Sequence, residues 1–116
     1  MADKVLRWYI DGQIGIAKTE VGGIYHLEGD YRPTEVLLNA RIAGTGNAGT
    51  KIDIMCDGVS IFKYKPVLLP NDTEKRWSTV DQDTMREGSV LRLDILEPGS
   101  SSPCRDLTVE LYLDEV

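Results

Sequence analysis

The sequence has little of what a helical protein, a membrane-spanning helix or a metal centre would need. It has two cysteines and one histidine, and no apolar run approaches the roughly 18 residues that cross a bilayer as a helix. Helical periodicity is also almost absent. The one short candidate, "TVDQDTMREG" at residues 79–88, has too few apolar positions for a stable amphipathic face and fits an extended segment or a single turn equally well. These absences exclude a helical fold and predict no membrane partner.

The two cysteines, Cys56 and Cys104, lie far apart and form neither a CxxC pair nor a zinc-like cluster. The opening "MADKVLRWYIDG" carries charge and lacks the apolar segment of a signal peptide, so we expect no export. A disulfide is possible in principle, but reduced thiols are favoured without export. Cys56 lies on the apolar phase of its strand, where a cysteine acts as a small buried hydrophobe.

Basic charge is also scarce. The formal net charge is −6 and the pI is about 4.7, so the chain repels phosphate backbones unless a local basic patch exists. The nearest candidates, Lys63 with Lys65 and Lys75 with Arg76, are short pairs that fit solvated strand and loop ends. We therefore predict no nucleic-acid partner.

Catalytic and cofactor motifs are missing. His26, in "IYHLE", has no partner in the sequence that would make it a general base, and the serines at 100–102 lie in a Gly/Pro loop without a GxSxG element. The oxygen-rich stretches "PNDTE" (70–74) and "VDQDT" (80–84) do not match the spacing of an EF-hand. The glycine-rich "GTGNAG" precedes a strand, whereas a phosphate cradle needs a helix behind it. We predict no enzyme, no metal and no cofactor.

Alternation of apolar and polar residues is what the sequence has in abundance. It predicts about eight short strands with turn signals between them. Their residue ranges are 5–10, 11–17, 23–28, 34–43, 50–56, 59–64, 89–96 and 106–116. Strands with one dry and one wet face form antiparallel sheets, and 116 residues suit one compact domain. We therefore predict an all-β fold, a single antiparallel β-sandwich domain over residues 1–116.

Within that class the sequence favours a jelly roll over an immunoglobulin domain. Trp77 does lie between Cys56 and Cys104, but the spacing is too short for the immunoglobulin pattern and Cys104 follows a Ser/Pro loop. In the dry-face assignment, Val36, Leu38, Ala40 and Ile42 share one face of their strand, and the closing strand points Leu107, Val109, Leu111 and Leu113 inward.

Two Asp-Gly pairs predict hairpin turns, Asp11-Gly12 and Asp57-Gly58. The second lies in "KIDIMCDGVSIFKY", where a two-residue type I′ turn would join two strands. Ile52, Ile54 and Cys56 take the dry face, and Asp53 and Met55 take the wet one. Asp94, on a later strand, is placed on a wet face by the same alternation. Whether Ile61 or Phe62 faces the core depends on the pairing register, which the sequence leaves open.

The aromatic residues are the best candidates for contacts with another molecule. Trp8 and Tyr9 are adjacent on a strand and point to opposite faces, so one of them must leave the core. Tyr112 falls on the polar phase of the last strand. Exposed aromatics on a sandwich either cap sheet edges or contact a protein or a glycan, and for the latter role we single out Tyr9, Tyr31 and Tyr112.

Four stretches, "WYIDG", "KIDIMCDGVSIF", "MREGSVLRLDI" and "DLTVELYL", together resemble small β-sandwich proteins encoded among the virion genes of tailed bacteriophages. The resemblance runs from Leu6 to Leu113. It departs from the family pattern at Met85 and Ser89, where Leu and Asp are usual, and at Cys104-Arg105, which replaces a glycine-containing turn.

Members of that group are capsid decoration or cement proteins, or domains of tail or fibre proteins. The resemblance therefore implies a virion structural protein that is assembled in the host cytoplasm, self-associates as a trimer and binds the major capsid protein on the outer capsid surface. The alternative is a receptor- or carbohydrate-binding module on the head or tail exterior. The family supplies no catalytic residues. The ends of the chain, "MADKV" and "LDEV", are candidate contact arms.

Overall fold

The computed structural model describes residues 3–78, 80, 82–99 and 102–116, which form nine strands and no helix. The all-β prediction is confirmed. The strands are β1 (Lys4–Gln13), β2 (Lys18–His26), β3 (Tyr31–Ile42), β4 (Thr50–Cys56), β5 (Val59–Ser60), β6 (Val67–Leu68), β7 (Glu74–Trp77), β8 (Val90–Glu97) and β9 (Arg105–Glu115).

The strands form two antiparallel sheets whose order is that of a jelly roll. The first sheet runs β1-β9-β3-β7, and the second runs β2-β8-β4-β5 with β6 also paired to β4. The pairs are nested along the chain: first with last, β2 with β8, β3 with β7, and β4 with β5. One long hairpin of paired segments has thus been wrapped into a sandwich, as the predicted topology requires.

The core lies between the sheets and follows the predicted alternation on most strands. The four apolar residues of β9 from Leu107 to Leu113 are fully buried, as are Leu91 and Leu93 of β8. Val36, Leu38 and Ala40 of β3 are buried too. Ile42 is 44% exposed, contrary to its assignment, because it ends β3 and pairs with Arg105 at the first residue of β9.

The Asp57-Gly58 turn is confirmed. Both residues have positive φ, 51° and 84°, and Cys56 pairs with Val59 across them, as a type I′ turn demands. The return strand is short, ending at Ser60. Ile61 and Phe62, whose orientation the sequence left open, are both buried. Cys56 and Cys104 are free and buried.

The predicted hairpin at Asp11-Gly12 is wrong. β1 continues through Gln13, and the next strand, β2, belongs to the other sheet. Gly12 does have a positive φ of 78°, but it uses it in a bulge of β1, where the pairing with β9 shifts between Ile10 and Gln13. A bulge and a turn both need this backbone conformation, so the residue pair alone does not distinguish them.

Alternation predicts a wet face for Asp53 and Asp94, but both are only 4% exposed. The two lie opposite each other across β4 and β8. The Ser60 hydroxyl donates to Asp53 Oδ1 at 2.5 Å, and the Glu20 N–H donates to Asp94 Oδ1 at 2.9 Å. Alternation identifies the side of the second sheet to which these two side chains point, but neighbouring segments cover that side.

Strand β7 was not predicted, because "EKRW" has no apolar alternation. It pairs with β3 between Val36 and Asn39. In the helix candidate at 79–88, residues 79 and 81 lie outside the described residues. The rest contains no helix, and Met85 forms an isolated bridge with Tyr31.

Candidate interaction surface

The outward side of the first sheet carries two of the three tyrosines selected from the sequence. We call it the outer face. It is defined by Val5, Arg7, Tyr9, Thr108, Glu110, Tyr112, Glu35, Leu37, Asn39 and Arg76. The rows follow from pairing: Val5 lies opposite Tyr112, and Arg7 lies opposite Glu110, which lies opposite Leu37. Four strands therefore present a continuous surface on which these side chains hold fixed relative positions.

Cross-strand ion pairs bind this face together. The Arg7 guanidinium pairs with Glu110, and Arg76 pairs with Glu35 at 2.6 Å. Exposed pairs of this kind contribute little to stability, so their main effect is on the character of the surface. Because the charges are matched within the face, a partner would meet little uncompensated charge there.

Tyr112 is half-buried among these charges. Its hydroxyl donates to Glu110 Oε1 at 3.4 Å, and the Arg76 guanidinium lies 6.0 Å from the centre of its ring. Burial is the main cause that raises the pKa of Tyr112, with the Glu110 carboxylate adding to it. Half-burial and these contacts restrict the Tyr112 ring, as suits an aromatic contact that loses little entropy on binding.

Tyr9 is the more accessible aromatic, 54% exposed, whereas its neighbour Trp8 is fully buried. The prediction that one of this pair leaves the core is confirmed. Tyr9 lies opposite Thr108, four positions along β9 from Tyr112. Partial desolvation is the first cause that raises the Tyr9 pKa, and the Asp106 and Asp11 carboxylates add to it.

Tyr31 does not join them. It begins β3, packs against the edge of the core, and exchanges two backbone hydrogen bonds with Met85, of 2.7 and 2.9 Å. The Lys4 ammonium lies 5.5 Å from the centre of its ring. The structure therefore brings Tyr9 and Tyr112 together on the outer face and places Tyr31 elsewhere.

Sequence reasoning missed the charged partners on this face. Alternation placed Glu110 and Glu35 outward, but Arg7 is 103 residues from Glu110 and Arg76 is 41 residues from Glu35. The nested strand pairing makes these residues neighbours: β1 with β9 for Arg7 and Glu110, and β3 with β7 for Arg76 and Glu35. Paired Arg and Glu in equivalent outward positions of the two terminal strands are the one signal that could have suggested it.

Among the described residues, no group of three or more His, Cys, Asp or Glu side chains is arranged to hold a metal ion. Nor does that part of the chain contain a helix long and apolar enough to cross a membrane. His26, the only histidine, is exposed at the end of β2.

Comparison with known proteins gives one informative result. No family model matches the sequence, and no curated protein matches it significantly. Among solved structures, the chain is similar to one described as the capsid of Ralstonia phage GP4, with a TM-score of 0.62 and 12% sequence identity. The similarity covers 100% of this chain and 87% of that one. At this identity the likeness establishes a shared fold over the whole domain.

Proposed function

We propose that this chain is a structural protein of a tailed-phage virion that binds the outer surface of the capsid and stabilises it. The observation that carries the proposal is the likeness to a chain from a phage capsid, which spans every residue of this chain. The sequence resemblance to virion proteins of tailed phages, drawn from motifs spread over the same length, supports the same role independently.

The outer face suits such a role physically. It is stiff, because four hydrogen-bonded strands support it, and it combines Tyr9 and Tyr112 with Arg7 and Arg76. Tyrosine and arginine are the residue types enriched in protein interfaces and their hot spots. We propose the major capsid protein as the partner, with self-association as a trimer and location in the virion. No catalytic activity is part of the proposal.

The two ends of the chain, the candidate contact arms, are largely part of the first sheet. Asp3 donates its N–H to Leu113, and its carboxylate accepts the Glu115 N–H at 2.9 Å. β1 begins at Lys4 and β9 ends at Glu115, so most of "MADKV" and "LDEV" is tied into the first sheet. Residues 1 and 2 lie outside the described residues. We therefore assign the capsid contact to the outer face rather than to the arms.

A binding assay tests this. Purified protein is mixed with capsids of the encoding phage that lack it, and co-sedimentation is measured for the native chain, Tyr112→Ala and Tyr64→Ala. Tyr64 is 64% exposed on the chain between β5 and β6, so it is a matched control outside the outer face. We expect native and Tyr64→Ala protein to sediment with capsids and Tyr112→Ala to bind at least tenfold more weakly. No association of the native protein would refute the proposal.

The alternative, a receptor- or carbohydrate-binding module on the head or tail exterior, has one observation in its favour. Tyr9 borders a surface cleft as well as the outer face.

A further inference from the structure

A cleft of about 400 Å³ lies where the edge strands of the two sheets meet. β1 is the edge of the first sheet and β2 the edge of the second, and the cleft runs along the seam between them. Six of its lining residues have exposed side chains: Tyr9, Asp11, Gln13, Ile16, Lys18 and Glu20. Its size falls within the range of about 300–1,000 Å³ typical of small-molecule sites.

On one side, a bulge in β1 shapes the cleft. The pairing of β1 with β9 shifts between Ile10 and Gln13. The Gly12 N–H released by the bulge donates to Asp106 Oδ1 at 2.7 Å, and the Arg41 Nε–H donates to Asp106 Oδ2 at 2.6 Å. Asp106 itself has a positive φ of 54°. The Asp106 carboxylate, on the adjacent strand β9, therefore holds the bulge that presents Asp11 and Gln13.

On the other side, β2 is built the same way. Its pairing with β8 shifts between Lys18 and Val21, and Glu20 has a φ of 54°, a conformation uncommon for a residue with a long side chain. The Glu20 N–H donates at 2.9 Å to Asp94, which is 4% exposed and pairs with the Arg92 guanidinium at 3.2 Å. Local strain held by a buried group is often found at binding sites.

The seam between these bulges is locked. Trp8, fully buried in β1, donates its indole N–H to Gly23 of β2 at 3.1 Å and packs edge-on against Tyr25, with ring centres 5.2 Å apart. The Tyr25 hydroxyl in turn donates to the Arg7 carbonyl at 2.5 Å. The cleft is therefore preformed, and a ligand would not have to bear the cost of ordering its walls.

The lining is amphipathic in a way that selects a chemical class. Tyr9 and Ile16, 54% and 69% exposed, offer apolar surface, while Asp11, Gln13 and Glu20 offer carboxylate and amide groups. Two carboxylates against the single ammonium of Lys18 disfavour an anion. A sugar ring has an apolar C–H face that stacks on an aromatic ring, and hydroxyls that donate to carboxylates and exchange hydrogen bonds with an amide.

From this geometry we propose that the seam cleft binds a neutral carbohydrate, with Tyr9 as the stacking platform and Asp11, Gln13 and Glu20 as the hydroxyl-binding groups. The proposal does not depend on capsid binding, since it concerns the isolated chain.

Titration of the ¹⁵N-labelled chain with a set of neutral sugars tests the site. The probes are glucose, galactose, rhamnose, N-acetylglucosamine and the disaccharides maltose, lactose and chitobiose. Binding of each sugar is measured from the amide chemical shifts. We expect at least one probe to give saturable shifts centred on residues 9–22. Tyr9→Ala should weaken that binding at least tenfold, and Gln13→Ala should weaken it several-fold. Tyr9→Phe, which keeps the ring, and Tyr64→Ala, which lies outside the cleft, should bind as the native chain does.

The three variants at Tyr9 and Tyr64 alter exposed side chains, so a melting curve should show that each remains folded. The proposal is overturned if no sugar shifts the cleft amides, or if Tyr9→Ala leaves a sugar's affinity unchanged. It is also overturned if short neutral peptides saturate the same amides while every sugar fails. If the native chain binds a sugar but does not bind capsids, that result counts against the proposed virion role alone.

Discussion

Two aspartates on the outward sides of the two sheets have opposite electrostatic environments. Asp106, in the first sheet, accepts hydrogen bonds from the Gly12 N–H and the Arg41 guanidinium, and these lower its pKa. Asp53, in the second sheet, is buried opposite Asp94, and burial raises its pKa despite the Ser60 hydroxyl. The fold thus favours a charged carboxylate at one position and disfavours it at the other.

The difference comes from what covers each face. On the first sheet, outward side chains of neighbouring strands meet as cross-strand pairs with half-exposed charges. On the second sheet, Ser60 and the bulge at Glu20 close over the carboxylates of β4 and β8. Polar alternation along a strand therefore identifies the outward face, but the environment on that face depends on the connections that cross it.

The largest effect is expected from a substitution at Trp8, which holds together the adjacent edges of the two sheets. Trp8→Ala would delete a fully buried side chain, its hydrogen bond to Gly23 and its contact with Tyr25. We expect a loss of about 3–5 kcal/mol in the free energy of unfolding, measured by urea denaturation. Tyr9→Ala, one residue along and on the exposed side, should cost much less. Equal losses would show that Trp8 is not central to the seam.

The next largest effect is expected at Asp94, one of the two buried carboxylates. Asp94→Ala would leave the Glu20 N–H and the Arg92 guanidinium without their partner. A buried group left unsatisfied costs about 1–3 kcal/mol, so we expect a loss in that range and amide shift changes around residues 18–21. An unchanged stability would mean that the β2 bulge does not depend on Asp94.

A smaller effect is expected at Asp106, the carboxylate whose charged form the fold favours. Asp106→Asn keeps the shape and tolerates the positive φ, but removes the charge that Arg41 and Gly12 stabilise. Because the folded state lowers the Asp106 pKa, its contribution is present above the unfolded value of about 4 and is lost as pH falls through the folded value. The variant should melt at a lower temperature than the native chain at pH 7, and the gap should narrow on acidification below pH 4.

The smallest effect has the opposite sign. Because the folded state raises the Asp53 pKa, the native chain gains most from Asp53 below about pH 4, where the carboxyl is protonated, and loses that gain as pH rises through the folded value. Asp53→Asn should therefore melt a few degrees higher than the native chain at pH 7, with the two curves converging in acid. A lower melting temperature at pH 7 would show that Ser60 and Lys65 outweigh burial.

Much of the fold could be predicted from local sequence. Alternation located the inner faces of β8 and β9, and Asp57-Gly58 specified its turn. The failures have a common physical origin. Local sequence could not show that Asp11-Gly12 lies in a bulge, because the strand that pairs with it, β9, is almost a hundred residues away. Strand β7 owes its strand character to pairing with β3 rather than to its own composition.

The same limit applies to the candidate surfaces. Alternation showed that either Trp8 or Tyr9 must leave the core, and the structure shows that it is Tyr9. The inclusion of Tyr112 and the exclusion of Tyr31 depended on which strands pair and on where β3 begins. The seam cleft had no local signal, because it is formed by two bulges in different sheets and held by Asp106 and Asp94 from two further strands.

The most direct test of the proposed role is the location and copy number of the chain in virions of the phage that encodes it. Quantitative mass spectrometry gives its ratio to the major capsid protein, and cryo-electron microscopy shows where the two sheets fit in the particle. We predict many copies per particle on the outside of the head, with the outer face of the first sheet against the capsid. Its absence from virions, or its restriction to a few copies in the tail, would contradict the proposal.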